Sequence, residues 1–479
     1  MFLILCLYGL LVTCNAVSDR FPDDFEFGVS TSAYQIEGAR DEGGNGRNVW
    51  DDITRIPGVI ADNSTGDIAC DSYHKWQRDI QLIRELRVST YRFSISWSRV
   101  LPNGTTDYIN EEGLAFYENF LNVLLEEGIE PLVTLYHFDL PTALKIQGGW
   151  TNSSIVDRFG DYADFIFSRF GDRVKSWLTI NEPEVVCDQI ALFPPVYGDE
   201  NAVPLSCTKN ILLAHANAYR IYTAKYKRVQ DGTVNIAYNY IWAEPEEDDE
   251  ENRIVDIMLQ LFNDRFTHPI YAKSGGWPEG LEEYIAEYSK EIGYNTSLLP
   301  PFTESEKKFI QGTYDYAAFN YYYAVKVTKK NNNIPWNPRA PISLQDGYTV
   351  DSYESPVGLR KLINWLNERF GVEDILITEN GYRGEDAKLL DYERVNYLKE
   401  HLEQILLSIY EDGLNVFGYM VWSLMDNFEW VSGYSVHYGL YSIDFDDSER
   451  PATPRLSADY YTCINFNRAL PVCDSYLQP

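Results

Sequence analysis

The chain has 479 residues, 45% hydrophobic and 15% aromatic, which is enough to bury a large core. Its 72 acidic and 40 basic residues leave a formal net charge of −32, which repels phosphate backbones and anionic lipid and so argues against nucleic-acid and membrane-surface partners. No repeat with a period of about 20–50 residues is visible, which excludes a solenoid or propeller.

The chain opens with MFLILCLYGLLVTCNA, an apolar run ending in small residues at Ala16. It lacks a positive n-region but otherwise fits a secretory signal peptide over residues 1–16, and it is short for a membrane span. No later run of 18 apolar residues occurs, so a secreted mature chain, 17–479, is expected.

Short β-branched and aromatic runs then recur at Phe25–Ser30, Thr90–Trp97, Pro131–Phe138, Ser176–Asn181, Thr233–Tyr240, Tyr314–Tyr322, Asp374–Glu379 and Val416–Leu424. Most are almost continuously apolar, as parallel strands buried on both faces require. Helical spacing fills the gaps, as in ENFLNVLLEEG (Glu118–Gly128) and YLKEHLEQILLSIYEDG (Tyr397–Gly413). Eight strand–helix repeats predict the α/β class and a single (β/α)8 TIM barrel. An open doubly wound sheet would need a glycine-rich phosphate loop after a strand. The one glycine cluster, Gly43–Arg47, follows no strand. The acidic stretch Glu244–Glu250 reads as a solvated loop.

Where these runs end, the chain turns polar and aromatic: SISWSR, YHFD, TINEP, FNYYY, ITENGY and VWSLMDNFEW. Barrel enzymes place their chemistry at the C-terminal ends of strands. Glu182 and Glu379 stand out, each at the end of an apolar run and each followed by a chain-turning residue, Pro183 and Asn380-Gly381. Glycoside cleavage needs two carboxyl groups flanking the bond, one protonated and one ionised, so their pKa values must be pushed apart. Arg92, at the end of the second run, would keep a nearby carboxylate ionised.

Six motifs, in order, resemble glycoside hydrolase family 1, the β-glucosidase family: SAYQIEGA (Ser32–Ala39), YRFSISWSR (Tyr91–Arg99), TINEP, FNYYY, ITENGY and WSLMDNFEW (Trp422–Trp430). The resemblance covers nearly all of the mature chain. It implies a retaining β-glycosidase with Glu182 as acid/base and Glu379 as nucleophile. It further implies that Asn181 holds the sugar 2-hydroxyl and that Arg92 and Tyr322 contact the nucleophile, with Asn320 orienting that region. Gln35, His137 and Glu429 would grip the outer hydroxyls, Trp422 would floor the ring, and Trp430 would meet the 3- or 4-hydroxyl side. The residue types suit a sugar, whose edges present hydroxyls and whose faces present C–H patches. The implied partner is a small β-glycoside, with no cofactor and no metal; oligomeric state is left open.

Two departures affect selectivity. His137 lies in YHFDLP where the family usually reads YHWDLP, so Phe138 keeps an aromatic wall but loses an indole donor. His437 and Tyr438 stand in GYSVHYGL where Arg-Phe is usual. His437 resembles a variant of some secreted insect members, including myrosinase-like enzymes that cleave thioglucosides. Plant myrosinases replace the acid/base by Gln, whereas Glu182 is intact. Trp336, in NIPWNPRAP, is a candidate for contact with the leaving group. Other enzyme classes lack their marks: the six histidines are scattered without HExxH, and GxSxG is missing. A catalytically inactive carbohydrate-binding relative would be expected to have lost a carboxylate, and transglycosylation would differ by excluding water from the second step.

Two cysteines fall in the leader, leaving Cys70, Cys187, Cys207, Cys463 and Cys473. In an oxidising compartment Cys187–Cys207 is the favoured pair and Cys463–Cys473 the next, with Cys70 odd. Sequons at Asn63, Asn103, Asn152 and Asn295 agree with secretion.

Overall fold

A computed structural model describes residues 18–190, 198–245, 250–329 and 348–477. The expected signal peptide, residues 1–16, and Trp336 lie outside the described residues.

Eight parallel strands close into a barrel: β1 (Glu26–Ser30), β2 (Thr90–Ser94), β3 (Glu130–Tyr136), β4 (Ser176–Asn181), β5 (Thr233–Asn239), β6 (Ala317–Asn320), β7 (Asp374–Asn380) and β8 (Asn415–Trp422). Each pairs with its sequence neighbours, and β8 closes on β1. Six of them are buried at every position but the first or last, or at all positions, which is why they read as apolar runs rather than as alternation.

Inside the barrel Leu132, Leu178, Ala237, Ala318, Leu376 and Met420 form their own apolar cluster. Leu178, Ala318, Leu376 and Met420 lie two or three residues before Asn181, Asn320, Glu379 and Trp422, so the packed plug ends where the polar tips begin. Outside, the helices bury one face each. Ile155–Phe170 buries Ile155, Phe159, Tyr162, Ala163, Ile166 and Phe170, the spacing of a single helical stripe. Glu111–Glu126 ends ahead of Gly128, whose φ of +75° lets the chain turn back into β3.

Several boundaries differ from the sequence reading. The second run stops at Ser94 because Ser96 caps a short helix, Trp97–Val100, accepting from the Arg99 amide at 3.3 Å. The sixth starts only at Ala317 because the Asn235 side chain takes the amides of Asp315 and Tyr316, at 2.8 and 2.9 Å. Trp242–Pro245, Ala324–Lys329 and Tyr348–Tyr353 form a separate three-stranded sheet that the sequence reading did not identify. The acidic stretch therefore begins in a strand, not a loop: Glu244 pairs with Lys361 and accepts from Tyr353 Oη at 3.0 Å. Residues 246–249 lie outside the described set.

Cys187–Cys207 and Cys463–Cys473 are disulfides, and Cys70 is a buried free thiol. Asn63, Asn103, Asn152 and Asn295 are all exposed.

Candidate active site

The C-terminal ends of the strands surround a cavity of about 290 Å³. Its wall includes Glu182, Glu379 and Glu429 together with His137, Asn181, Tyr322, Trp422 and Trp430. Arg92, Asn320 and Gln35 are not part of that wall. They stand behind it, fully buried, and hold the residues that are.

Local backbone irregularities aim the two central carboxylates. Pairing shifts register between Leu178 and Asn181 on β4 and between Ile377 and Glu379 on β7. Such irregularities re-aim side chains at strand ends. Glu182 has a φ of +45° and precedes Pro183, the first residue of helix Pro183–Asp188. Phe138 and Trp430, also in the wall, have φ values of +73° and +52°. Non-glycine residues in this region are costly and concentrate at working sites. After β7, Gly381 is obligatory for packing: a Cβ there would lie 1.9 Å from the Trp422 carbonyl oxygen.

Glu379 is 3% exposed and doubly held. Arg92 Nη1 donates to Oε1 and Tyr322 Oη donates to Oε2 at 2.6 Å. Glu182, 7% exposed, accepts from Asn320 Nδ2 at 2.8 Å and has no ion pair among the described residues. A single chain of hydrogen bonds joins the pair. Asn320 Nδ2 also reaches Asn181 Oδ1 at 3.1 Å, and Arg92 Nη2 reaches the same oxygen at 2.6 Å. Thr378 Oγ1 fixes Asn320 by donating to its Oδ1 at 2.7 Å.

The electrostatics separate the two carboxyls. Burial, then the charge of Glu379, pushes Glu182 up to about 8. Burial also raises Glu379, but Arg92 and Tyr322 pull against it by favouring the ionised form. At neutral pH the proton shared by this pair therefore resides on Glu182. Glu429 is pushed up to about 8 as well, by burial, with the Trp422 indole opposing and Glu379 reinforcing the rise.

The remaining wall suits a ring-shaped polar ligand. Trp422, His137 and Trp430 lie nearly parallel, the imidazole 5.7 and 5.9 Å from the two indoles. Trp422 Nε1 donates to Glu429 Oε1 at 3.2 Å, and Gln35 Nε2 approaches Glu429 Oε2 at 3.3 Å. Gln35 is further fixed by Ser32, Asn427 and the Phe428 carbonyl. Burial and then Arg92 hold the His137 pKa well below its ordinary value, so the ring is neutral. Because Asn181 Oδ1 faces Arg92 and Asn320, its amide nitrogen donates to His137 Nε2, at 3.2 Å. The imidazole proton then sits on Nδ1, a buried atom with no hydrogen-bond partner among the described residues. Tyr438 joins the wall beside Tyr322, ring to ring at 5.9 Å. His437 does not: it turns to Asp426, 3.1 Å away, which Arg455 grips with both guanidinium arms.

Sequence reasoning did not single out Lys145, Trp150, Asn239 or Arg383, all of which line the cavity. Only Trp150 carried a signal, as an aromatic after Gly148-Gly149.

The arrangement holds one protonated and one cation-held carboxyl across a hollow with aromatic faces and hydrogen-bonding edges. That is the equipment for acid-assisted displacement at a sugar carbon. The glycosyl hydrolase family 1 model matches residues 17–469. Myrosinase 1 of Brevicoryne brassicae is 42% identical over 455 residues, spanning 92% of this chain and 97% of that protein. Cytosolic beta-glucosidase of Cavia porcellus is 37% identical, spanning 94% and 99%. Among solved structures, aphid myrosinase superposes with a TM-score of 0.87 at 39% identity, covering 94% of this chain and all of that one.

Proposed function

Since the chain belongs to glycosyl hydrolase family 1 and is a retaining β-glycosidase, we propose that Glu182 is its acid/base and Glu379 its nucleophile, acting on terminal β-D-glucosides of small molecules. The observation that carries these roles is the unequal holding of the two carboxyls: Glu379 by Arg92 and Tyr322, Glu182 by a neutral amide alone.

In the first step Glu379 attacks the anomeric carbon as the bond to the leaving oxygen breaks, and Glu182 gives that oxygen its proton. The product is a glycosyl ester on Glu379 and a free alcohol or phenol. Esterification removes the Glu379 charge, which had helped hold the proton on Glu182. Glu182 thereby becomes a competent base. In the second step it takes a proton from water, the water oxygen attacks the anomeric carbon, and Glu379 leaves as carboxylate. Two inversions give net retention. Asn181, between Arg92 and Asn320, would meet the 2-hydroxyl. His137 and Glu429 suit the outer hydroxyls, with Gln35 bracing Glu429 from behind. Trp422 and Trp430 supply apolar faces.

Proton NMR of the first sugar released from an aryl β-glucoside tests the reaction. The β-anomer should appear first and mutarotate later; initial α-anomer contradicts the account. Thioglucosides are the second reading, favoured by the likeness to aphid myrosinase. A panel of aryl β-glycosides, cellobiose and a glucosinolate decides between them.

Secretion is part of the proposal. Two disulfides and four exposed sequon asparagines support it. Sequencing the mature N-terminus tests it, with Val17 expected as the first residue, and enzymatic deglycosylation should lower the apparent mass.

A further inference from the structure

Strand β7 fits two residues, Thr378 and Glu379, where β6 takes a single step: Ile377 pairs with Phe319 and Glu379 with Asn320. An extra residue of this kind re-aims side chains that would otherwise alternate. Here it sets the Thr378 hydroxyl 2.7 Å from Asn320 Oδ1, one residue before the proposed nucleophile. The Thr378 carbonyl is pinned in turn, accepting from Arg92 Nη1 and Ser30 Oγ, each at 3.0 Å. Thr378 and Asn320 are both fully buried, so bulk water reaches neither side chain.

A carboxamide has a donor end and an acceptor end, and its neighbours decide which way it points. Arg92 can only donate, so the Asn181 atom 2.6 Å from its Nη2 is the amide oxygen. Asn320 must therefore turn Nδ2 toward that oxygen, at 3.1 Å, and the same nitrogen then faces Glu182 Oε1 at 2.8 Å. Its Oδ1 is left facing Thr378, whose hydroxyl donates. In a protonated carboxyl the carbonyl oxygen is the better acceptor. The Asn320 N–H thus makes Oε1 the carbonyl and leaves the acid proton on Oε2. Glu182 lines the cavity, and Oε2 makes no hydrogen bond among the described residues. With the amide reversed, Asn320 Oδ1 would accept the proton at Oε1 and withhold it from a leaving group.

We propose that Thr378 is a positioning residue for the acid/base: its hydroxyl anchors the Asn320 amide so that Glu182 carries its proton on Oε2, the oxygen free to meet a leaving group. This rests on the glycosidase reading and deepens it. Thr378 is not part of the cavity wall and acts through Asn320. Thr378→Val keeps the shape of the side chain and removes the donor. Asn320 Oδ1 is then buried without a partner, and because the amide is planar, any rotation that finds Oδ1 another partner carries Nδ2 off Glu182.

The test compares kcat/KM for phenyl β-D-glucoside, whose leaving group needs a proton, and 2,4-dinitrophenyl β-D-glucoside, whose leaving group needs none, in the wild type, Thr378→Val and Thr378→Ser. The ratio of phenyl to dinitrophenyl is the readout, so a general loss of activity cancels. The ratio should fall about fivefold or more in Thr378→Val, the scale on which one unpaired buried acceptor disturbs a site, and be largely kept in Thr378→Ser. The Asn320 donor favours ionised Glu182, so its loosening should also move the basic limb of the phenyl glucoside profile from about pH 8 to higher pH. A ratio that changes less than about twofold in Thr378→Val, an equal fall in Thr378→Ser, or a basic limb that does not rise overturns the proposal. If Thr378→Val does not fold, neutron diffraction from wild-type crystals held below the Glu182 pKa decides. Deuterons on the Asn320 nitrogen facing Oε1, with the acid deuteron on Oε2, support the proposal, and an acid deuteron on Oε1 overturns it. Failure of the wild type to cleave either glucoside would contradict the glycosidase reading itself, and the neutron map would still judge where the proton sits.

Discussion

Tyr322→Phe removes one hydroxyl from the cavity and leaves the ring in place against Tyr438. That hydroxyl donates to Glu379 Oε2 at 2.6 Å, while Arg92 holds the other oxygen. A hydrogen bond to a charged group contributes about 1.5–3 kcal/mol. It favours only the ionised form of Glu379, so its loss shifts the nucleophile toward the protonated, inert form. Burial already pushes Glu379 upward, so the variant has little reserve. On the acidic side, where protonation competes, kcat/KM should drop by about 10- to 150-fold at a given pH, from 1.36 kcal/mol per factor of ten. The acidic limb of the pH profile should move to higher pH, and the deficit should shrink as pH rises. The assay is kcat/KM for an aryl β-glucoside from pH 4 to 9. A loss under twofold with an unmoved limb refutes the reasoning. A uniform loss across the whole range would assign Tyr322 to orientation and not to charge.

The acid/base gives a complementary limb. Glu182 must be protonated to assist departure, and its pKa of about 8 predicts that kcat/KM for a poor leaving group falls as pH rises above about 8. Glu182→Ala should cost poor leaving groups far more than good ones and should be rescued by azide; equal losses would argue against an acid. Glu379→Gln should abolish turnover by several orders of magnitude, and near-normal activity would refute its role. Replacing Cys187 and Cys207 together by Ser opens a loop of 20 residues and should lower stability by about 3 kcal/mol in denaturant titration. An unchanged midpoint would show that the loop is already constrained without the bond.

The barrel was legible because its strands are buried on both faces and its helices on one, which writes continuous apolar runs and helical apolar stripes into the chain. Glu182 and Glu379, the proposed catalytic pair, were legible because each sits where an apolar run meets a turn signal, Pro183 or Gly381. Strand ends were less so, because side chains decide them: Asn235 delays β6 and Ser96 curtails β2. The three-stranded sheet escaped because Trp242–Pro245 is short and runs into acids that look like solvated loop. Lys145 escaped for a different reason. In TALKIQ a lysine reads as ordinary surface, and only its burial in the cavity wall shows that it is enclosed. Arg92 was legible as a charged group on the second run and Gln35 only through the family resemblance, but that both sit behind the wall, in contact with Glu379 and Glu429, depends on long-range contacts that no local pattern encodes.

Trapping the covalent intermediate tests the central claim most directly. The enzyme would be treated with a 2-deoxy-2-fluoro-β-glucoside bearing an activated leaving group, digested, and read by mass spectrometry. A single fluorosugar ester on Glu379 is the predicted result. Label on Glu182, Glu429 or any other residue, or stoichiometric inactivation without an ester, would contradict it.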